Sequence, residues 1–173
     1  MEDKTMKNVV VNDTLNLAIP EGFTEITPAE VKAMTYGHGP APKWNIINRD
    51  EHMLITANWF KSGWIKSHLI SAKDMAKHIL NKNKSGLKVE SPYACTYSDI
   101  SETTLDGNQA YTYSCTYRAF SRDGVLVNMI RETVVVKIKD LFYVFQSVCR
   151  DEMKGKGVDS FHEVYDSVQF AAA

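Results

Sequence analysis

The stretch Leu141-Phe142-Tyr143-Val144-Phe145-Gln146-Ser147-Val148 decides the fold, because it is apolar on both of its alternating faces except at Gln146 and Ser147. Successive side chains of a β-strand point to opposite faces of the sheet. A strand with two apolar faces must therefore be covered on both sides. The stretch predicts the central strand of a sheet that carries packed layers on each face.

Three further β-prone runs precede this strand and share its period of two. Tight-turn signals separate the runs, since Gly readily takes the positive φ that short hairpin turns require. Asp106-Gly107 and Asp123-Gly124 are such signals, and a third tight turn fits Lys139-Asp140. We predict an antiparallel meander of four strands at about 96–105, 109–120, 125–138 and 141–149.

Helix signals occur three times, each as a capping box in which a Ser or Thr is followed three residues later by Glu or Asp. We expect Gly37 and Gly86 to end the first two helices, and Gly155-Lys156-Gly157 to be a linker before the third. A stripe of Phe161, Val164, Tyr165 and Val168 gives that third helix an apolar face. The three boxes are Thr27-Pro28-Ala29-Glu30, Ser71-Ala72-Lys73-Asp74 and Ser160-Phe161-His162-Glu163.

The N-terminal part of the chain adds one strand, or two short ones, over 9–19, and a hairpin formed by 43–49 and 53–60. The predicted fold class is α+β, with an antiparallel sheet of about six to eight strands and helices on both faces, an α/β/α sandwich. We expect a single domain over 1–170. The terminal residues 171–173 are three alanines, which have the look of a vector-derived tail.

This order of elements resembles the PsbP/DcrB-like fold, also called the Mog-type fold. Its opening is similar to Leu17-Ala18-Ile19-Pro20-Glu21-Gly22-Phe23-Thr24-Glu25, and its close is similar to Phe161-His162-Glu163-Val164-Tyr165-Asp166-Ser167-Val168-Gln169-Phe170. The family includes a photosystem accessory protein, a Ran-binding import factor, envelope lipoproteins and chaperones of secreted effectors. The resemblance implies binding or assembly rather than catalysis, and it assigns no functional residue to this chain.

Composition excludes several classes of protein. The chain has 173 residues, 44% of them hydrophobic, and a formal net charge of −1, which is unlike a disordered or collagen-like chain. No apolar run approaches the roughly 20 residues of a membrane-spanning helix. No secretory signal is visible, so we expect a cytoplasmic protein; an envelope domain whose signal has been removed is the alternative.

Cys95, Cys115 and Cys149 lack disulfide or zinc-site spacing and are expected to be buried thiols.

Charge is distributed unevenly along this nearly neutral chain. Residues 61–88 contain seven lysines and one acid, which gives that segment +6 and leaves −7 on the remainder. At 100° per residue, Lys73, Lys77 and Lys84 lie on one side of the second helix. Trp64 and Lys66 precede the helix in a predicted loop beside Gly63, where an exposed Trp64 would anchor a partner; packing of Trp64 over the sheet edge as part of the core is the alternative. We therefore predict a surface for a protein partner of acidic character, formed by Trp64, Lys66, Lys73 and Lys77; a merely solvated helix face is the alternative.

A second candidate site lies on the meander. Tyr111, Tyr113, Cys115 and Tyr117 share one face of a strand. The pattern fits packing beneath a helix with the hydroxyls at the periphery. It also fits a pocket in which Tyr111, Tyr113 and Tyr117 bind a small molecule or a hydrolysable substrate.

Catalytic and metal-binding patterns are weak. The five histidines form no ligand spacing, and Gly155-Lys156-Gly157 does not match a phosphate-binding loop. A nucleophilic Cys149 would need a base close to it in the fold, which the sequence does not show. We predict a non-enzymatic protein-binding domain that acts as an adaptor, accessory subunit or chaperone, without cofactor, metal or nucleic acid. A homodimer is compatible with this reading, and a small-molecule-binding or hydrolytic domain is the alternative function.

Overall fold

An eight-stranded antiparallel sheet is the main feature of the computed structural model, which describes residues 6–35, 40–63, 69–85, 95–121 and 123–171. The strands are β3 (Thr24–Glu25), β4 (Trp44–Asn48), β5 (Met53–Lys61), β6 (Thr96–Tyr97), β7 (Ser101–Leu105), β8 (Asn108–Phe120), β9 (Leu126–Ile138) and β10 (Leu141–Arg150). They run in the order β3-β4-β5-β10-β9-β8-β6, with β7 beside β8.

A separate three-stranded sheet and three helices complete the described fold. The small sheet has the order β1-β2-β11, with all pairs antiparallel. Its strands are β1 (Lys7–Asn12), β2 (Leu15–Ile19) and β11 (Gln169–Phe170). The helices are α1 (Pro28–Thr35), α2 (Ala72–Ser85) and α3 (Lys154–Asp166), and a 3₁₀ turn at Asp151–Met153 leads into α3.

Strand β10 lies between β5 and β9, as its two apolar faces predict. Phe142 and Val144 belong to the apolar cluster beneath α2, whereas Tyr143 and Phe145 belong to the larger cluster on the opposite face. Phe142, Tyr143 and Phe145 are fully buried. Burying such a side chain contributes roughly 1.5–3 kcal/mol each, so this strand ties the two core layers together.

The second face of the large sheet is covered by helix α3 and by the small sheet. Helix α3 packs there on β10 and on β2 of the small sheet, and Phe161 and Val164 supply its fully buried contacts. The predicted antiparallel sheet with helices on both faces is confirmed, with one addition. The N-terminal strands form their own small sheet instead of joining the large one.

The turns of the meander form where they were expected, and residues with positive φ stand at them. Asp106 (φ 49°) and Gly107 (φ 72°) connect β7 to β8, Gly124 (φ 79°) lies between β8 and β9, and Lys139 (φ 56°) lies between β9 and β10. The Asp-Gly signals therefore located these hairpins correctly.

The first strand of the meander was predicted wrongly, because 96–105 is two strands instead of one. Tyr97 pairs with Cys115, but Ser101 pairs with Thr112, so the register shifts by one residue between β6 and β7. Ser98 occupies the break: its N–H donates to the Ser114 carbonyl (2.9 Å), and its hydroxyl accepts from the Ser114 N–H (2.9 Å). The Ser98 hydroxyl thus takes the place of the backbone carbonyl that would otherwise accept the hydrogen bond of the Ser114 amide in the ladder.

The capping box at Thr27 forms as predicted. The Glu30 carboxylate accepts from the Thr27 N–H (2.7 Å) and hydroxyl (2.8 Å), and the Glu30 N–H donates to the Thr27 hydroxyl (3.2 Å). The two glycines predicted to end the first two helices, Gly37 and Gly86, lie outside the described residues.

The start of α3 was also predicted wrongly. The helix begins at Lys154, and the supposed linker at 155–157 forms its first turn. Packing explains the difference, because a Cβ on Gly157 would lie 2.6 Å from Cys149 Sγ. Gly157 lets the helix approach the sheet closely, and that tertiary contact outweighs the poor helix propensity of Gly.

Replacing Gly157 with Ala should destabilise the fold by about 1–3 kcal/mol, since the added methyl overpacks the contact with Cys149. Thermal and urea unfolding would measure the change. Gly155→Ala is the matched control, because nothing lies within 4 Å of its Cβ position; it should stabilise the helix by up to about 1 kcal/mol. Equal stability of the two variants would contradict the close-approach explanation.

Candidate functional site

Helix α2 presents one apolar face and one basic face. Ala72, Met75 and Ala76 are buried against the cluster that contains Tyr111, Val135, Phe142 and Val144. The Lys137 ammonium donates to the Ile70 carbonyl (2.8 Å) and so fixes the chain just before the helix. The exposed part of α2 carries four lysines: Lys73, Lys77 and Lys84 lie along one flank of the apolar face, and Lys82 lies along the other flank.

The one acid on α2 is engaged at its N-terminus. The Asp74 carboxylate accepts from the Ser71 hydroxyl (2.6 Å) and N–H (3.2 Å), and the Asp74 N–H donates to the Ser71 hydroxyl (3.1 Å). These bonds to Ser71, followed by the charges of Lys77 and Lys73, lower the pKa of Asp74. The predicted capping box at Ser71 is thus confirmed, and it holds the one carboxylate of α2 at the N-terminus of the helix.

Four cations lie over aromatic rings on this side of the sheet, among them Lys137, whose Nζ is 5.4 Å from the centroid of the buried Phe142 ring. Lys73 Nζ is 5.9 Å from the Tyr111 ring centroid, and Lys84 Nζ is 5.5 Å from that of Tyr97. The Arg131 guanidinium carbon is 5.3 Å from the Tyr117 centroid. We call the surface of Lys73, Lys77, Lys84, Arg131, Tyr97, Tyr111 and Tyr117 the basic–aromatic face. Such pairs hold the cations in place; Lys73 and Lys84 are exposed, and Arg131 is half-buried.

The tyrosines of β8 mostly serve packing. Tyr111 and Tyr113 are buried beneath α2, and Tyr117 is half-buried. Desolvation raises the pKa of Tyr111, and the Glu102 and Asp74 carboxylates add to the rise. The expectation that all three hydroxyls lie at the periphery was wrong for Tyr113, whose hydroxyl is buried. Burial raises its pKa, and Thr133 and Asn83 oppose the rise.

Two clefts lie elsewhere on the described surface. One, of about 400 Å³, lies between the β2–β3 turn, the β4–β5 hairpin and α3, and four carboxylates and Lys156 line it. The other, of about 730 Å³, lies at the end of the β8–β9 hairpin, between Met34, His52, Phe120, Met129 and Arg150. Neither cleft is lined by Tyr111, Tyr113 or Tyr117, so the tyrosine pocket of the alternative function does not coincide with either.

Of the three cysteines predicted to be buried, Cys115 and Cys149 are buried, whereas Cys95 is only half-buried. Burial raises the pKa of Cys115 to about 11. The pKa of Cys149 is also raised to about 11, first by burial and then by the charges of Glu132 and Asp151. Both thiols are therefore protonated near neutral pH. A cysteine acts as a nucleophile in its thiolate form, so the raised pKa makes both residues poor nucleophiles. Within the described ranges, no group of three His, Cys, Asp or Glu side chains is placed to hold a metal ion.

The structure describes only half of the predicted partner surface. Lys73 and Lys77 are exposed on α2, as expected, whereas Trp64 and Lys66 lie outside the described residues. Arg131 and Tyr97 belong to the same surface, although the sequence pattern did not indicate them. The period of β9 could have indicated Arg131, because it shares the parity of the buried Thr133 and Val135 and so faces α2. The partner-binding role of these residues remains a prediction.

In the native protein, Cys115 and Cys149 should resist alkylation by iodoacetamide at pH 8, because a pKa near 11 leaves roughly one thiol in a thousand ionised. Mass spectrometry of time-resolved labelling would measure the rate, which should rise about tenfold per pH unit up to the pKa. The urea-unfolded chain, in which every thiol is accessible, is the control. Native labelling of Cys149 as fast as in urea would contradict its assignment as a buried packing residue.

Similarity to solved structures extends over nearly the whole chain. The cyanobacterial PsbP (CyanoP) of Synechocystis superimposes with a TM-score of 0.62 at 13% identity, covering 97% of this chain and 94% of its own. LpqN of Mycobacterium tuberculosis, involved in cell envelope biogenesis, gives a TM-score of 0.54 at 17% identity, covering 99% and 93%. No protein-family model and no curated protein matches the sequence. No helix among the described residues is long and apolar enough to cross a membrane. The chain has the PsbP/Mog-like fold.

Proposed function

We propose that this protein is a non-enzymatic protein-binding domain, an adaptor, accessory subunit or chaperone, that binds an acidic partner on the basic–aromatic face. The observation that carries the proposal is the exposed pair Lys73 and Lys77, which stand one helical turn apart on a helix whose one acid is engaged in the cap. Like charges at this spacing are mildly destabilising in the free protein. A partner carboxylate would relieve that repulsion.

Aromatic rings beneath the cations support the same surface. Tyr97 and Tyr117 are half-buried, so each presents part of a ring beside a positive charge. Tyr and Arg are enriched among the residues that dominate binding energies. Exposed lysines contribute mainly to the rate and salt dependence of association. The face therefore combines lysine charges that speed association with aromatic surface that contributes binding energy.

The buried thiols and the fold also support a non-enzymatic role. A protonated Cys149 packed against Gly157 is a poor nucleophile. Two of the solved structures that share the fold are a PsbP protein and a protein of cell envelope biogenesis, neither of which is named for a catalytic activity. At 13–17% identity these neighbours support the fold, and the choice of partner surface rests on α2 alone.

Reversing Lys73 and Lys77 to Glu together should reduce capture of the partner at least tenfold and flatten the salt dependence of capture, because two attractive charges become repulsive. The measurement is quantitative pull-down from the native host at about 50 and 300 mM salt, within the range where screening changes strongly. Lys32→Glu with Lys154→Glu is the matched control: it makes the same charge change at two exposed lysines outside α2.

Equal capture by wild type, the α2 variant and the control variant would overturn the assignment of the surface. A thermal-shift screen would test the alternative function. A small molecule that strongly stabilises the fold, when no protein is captured, would overturn the protein-binding proposal itself.

A further inference from the structure

Arg131 is a half-buried cation that has no counter-ion among the described residues. It lies on β9, between Cys115 of β8 and Val148 of β10. Its Nε atom is buried and has no hydrogen-bond partner within the described part of the chain. The ion pairs found there do not include Arg131 either. Because buried charges in folded proteins are normally paired, this guanidinium lacks the anion that such a cation usually has.

The groups around the guanidinium are hydrogen-bonding groups, and none of them is a carboxylate. Those that interact with it most strongly are the Tyr117 hydroxyl and the thiols of Cys115 and Cys95. The Tyr117 hydroxyl is hydrogen-bonded to the guanidinium. A hydroxyl that accepts an N–H bond keeps its own O–H to donate. Since a guanidinium carries five donors, terminal N–H groups also remain for an incoming acceptor.

A second cation stands near Arg131. Tyr97 lies opposite Cys115, which lies opposite Arg131, so these three residues form one row across β6, β8 and β9. Adjacent strands are about 4.8 Å apart, which separates the two ends of the row by about 10 Å. The exposed Lys84 ammonium lies over the Tyr97 ring at one end of this row. An anion bound at Arg131 would therefore also experience the positive potential of Lys84.

We propose that Arg131 and Tyr117 form an oxyanion-binding site within the basic–aromatic face. The terminal nitrogens of the guanidinium donate two parallel N–H bonds to one oxyanion, and the Tyr117 hydroxyl donates a third. A guanidinium matches the oxygens of a carboxylate or a phosphate in this way. In the complex with an acidic protein, the oxyanion is a carboxylate of the partner; this assignment rests on the proposed function. Inorganic phosphate is the other source of the same chemistry.

The site gives Arg131 a different role from the exposed lysines of α2. Charge-assisted bonds to a partly desolvated guanidinium are stronger than ion pairs between fully exposed side chains. Truncating a buried charged contact raises the dissociation rate, whereas exposed charges mainly change the association rate. We therefore expect Arg131 to control how long the partner stays bound, and Lys73 and Lys77 to control how fast it arrives.

Binding of inorganic phosphate to the whole chain tests the site without any partner. At constant ionic strength, the Arg131 Nε–H signal in proton–nitrogen NMR spectra should shift and saturate, with a dissociation constant on the order of 1–10 mM. Lys43→Met is the matched control. It removes another cation that lies over a ring, 5.1 Å from the Trp59 centroid, and should leave the titration unchanged. An Arg131 signal that does not move, or that moves without saturating, would overturn the site.

Two variants separate a binding role from a structural one. Tyr117→Phe keeps the ring and removes the hydroxyl, so it should weaken phosphate binding roughly threefold to tenfold. Arg131→Met replaces an unpaired cation by an apolar side chain, and without phosphate it should unfold at the same urea concentration as wild type or at a higher one. At ten times the dissociation constant, phosphate should raise the folding equilibrium constant of wild type about elevenfold more than that of Arg131→Met. Equal responses would sink the proposal.

Capture of the partner distinguishes the two sources of the oxyanion. If a partner carboxylate occupies the site, Arg131→Met should speed dissociation of the captured complex about tenfold or more, and phosphate should compete with capture. The variant Lys73→Glu/Lys77→Glu should slow association instead. Unchanged dissociation of Arg131→Met, with capture still reduced by the lysine reversal, would leave the proposed function standing and overturn the partner carboxylate as the occupant.

Discussion

The rest of the structure depends on the burial of β10 on both of its faces. Phe142 and Val144 require α2 on one side, and Tyr143 and Phe145 require α3 and the small sheet on the other. Because α2 is held by its apolar face, its lysines must face outward. The geometry of the candidate surface is therefore a consequence of core packing: the residues that bury the strand also orient the charges that a partner would meet.

Sequence alone predicted the parts of the fold that local physics decides. Alternation at 141–148, the Asp-Gly turns and the boxes at Thr27 and Ser71 each act over a few residues, and the structure confirms them. The errors arose where distant contacts decide. Gly157 is helical because Cys149 packs against it, and Ser98 divides a strand because its hydroxyl bonds to Ser114 across the ladder. Neither partner is visible from the local pattern.

The candidate surface was likewise predicted only where its residues are close together in the sequence. The spacing of Lys73 and Lys77 placed them on one exposed side of a helix, as the structure has them. Arg131 and Tyr97 join that surface from β9 and β6 only because the strand order and register bring those strands beside α2. A charge count along the chain finds clusters that are contiguous in sequence, and it overlooks a cation contributed by a strand 50 or so residues away.

The central claim is that the lysines of α2 contact acidic groups of a partner protein. Carbodiimide cross-linking of the captured complex tests it most directly, because this reagent joins a lysine amine to a carboxylate only when the two groups are in contact. Mass spectrometry should find amide cross-links from Lys73 and Lys77 to Asp or Glu residues of the partner. Cross-links confined to lysines away from α2, such as Lys32, Lys154 or Lys156, with none from Lys73 or Lys77, would contradict the account.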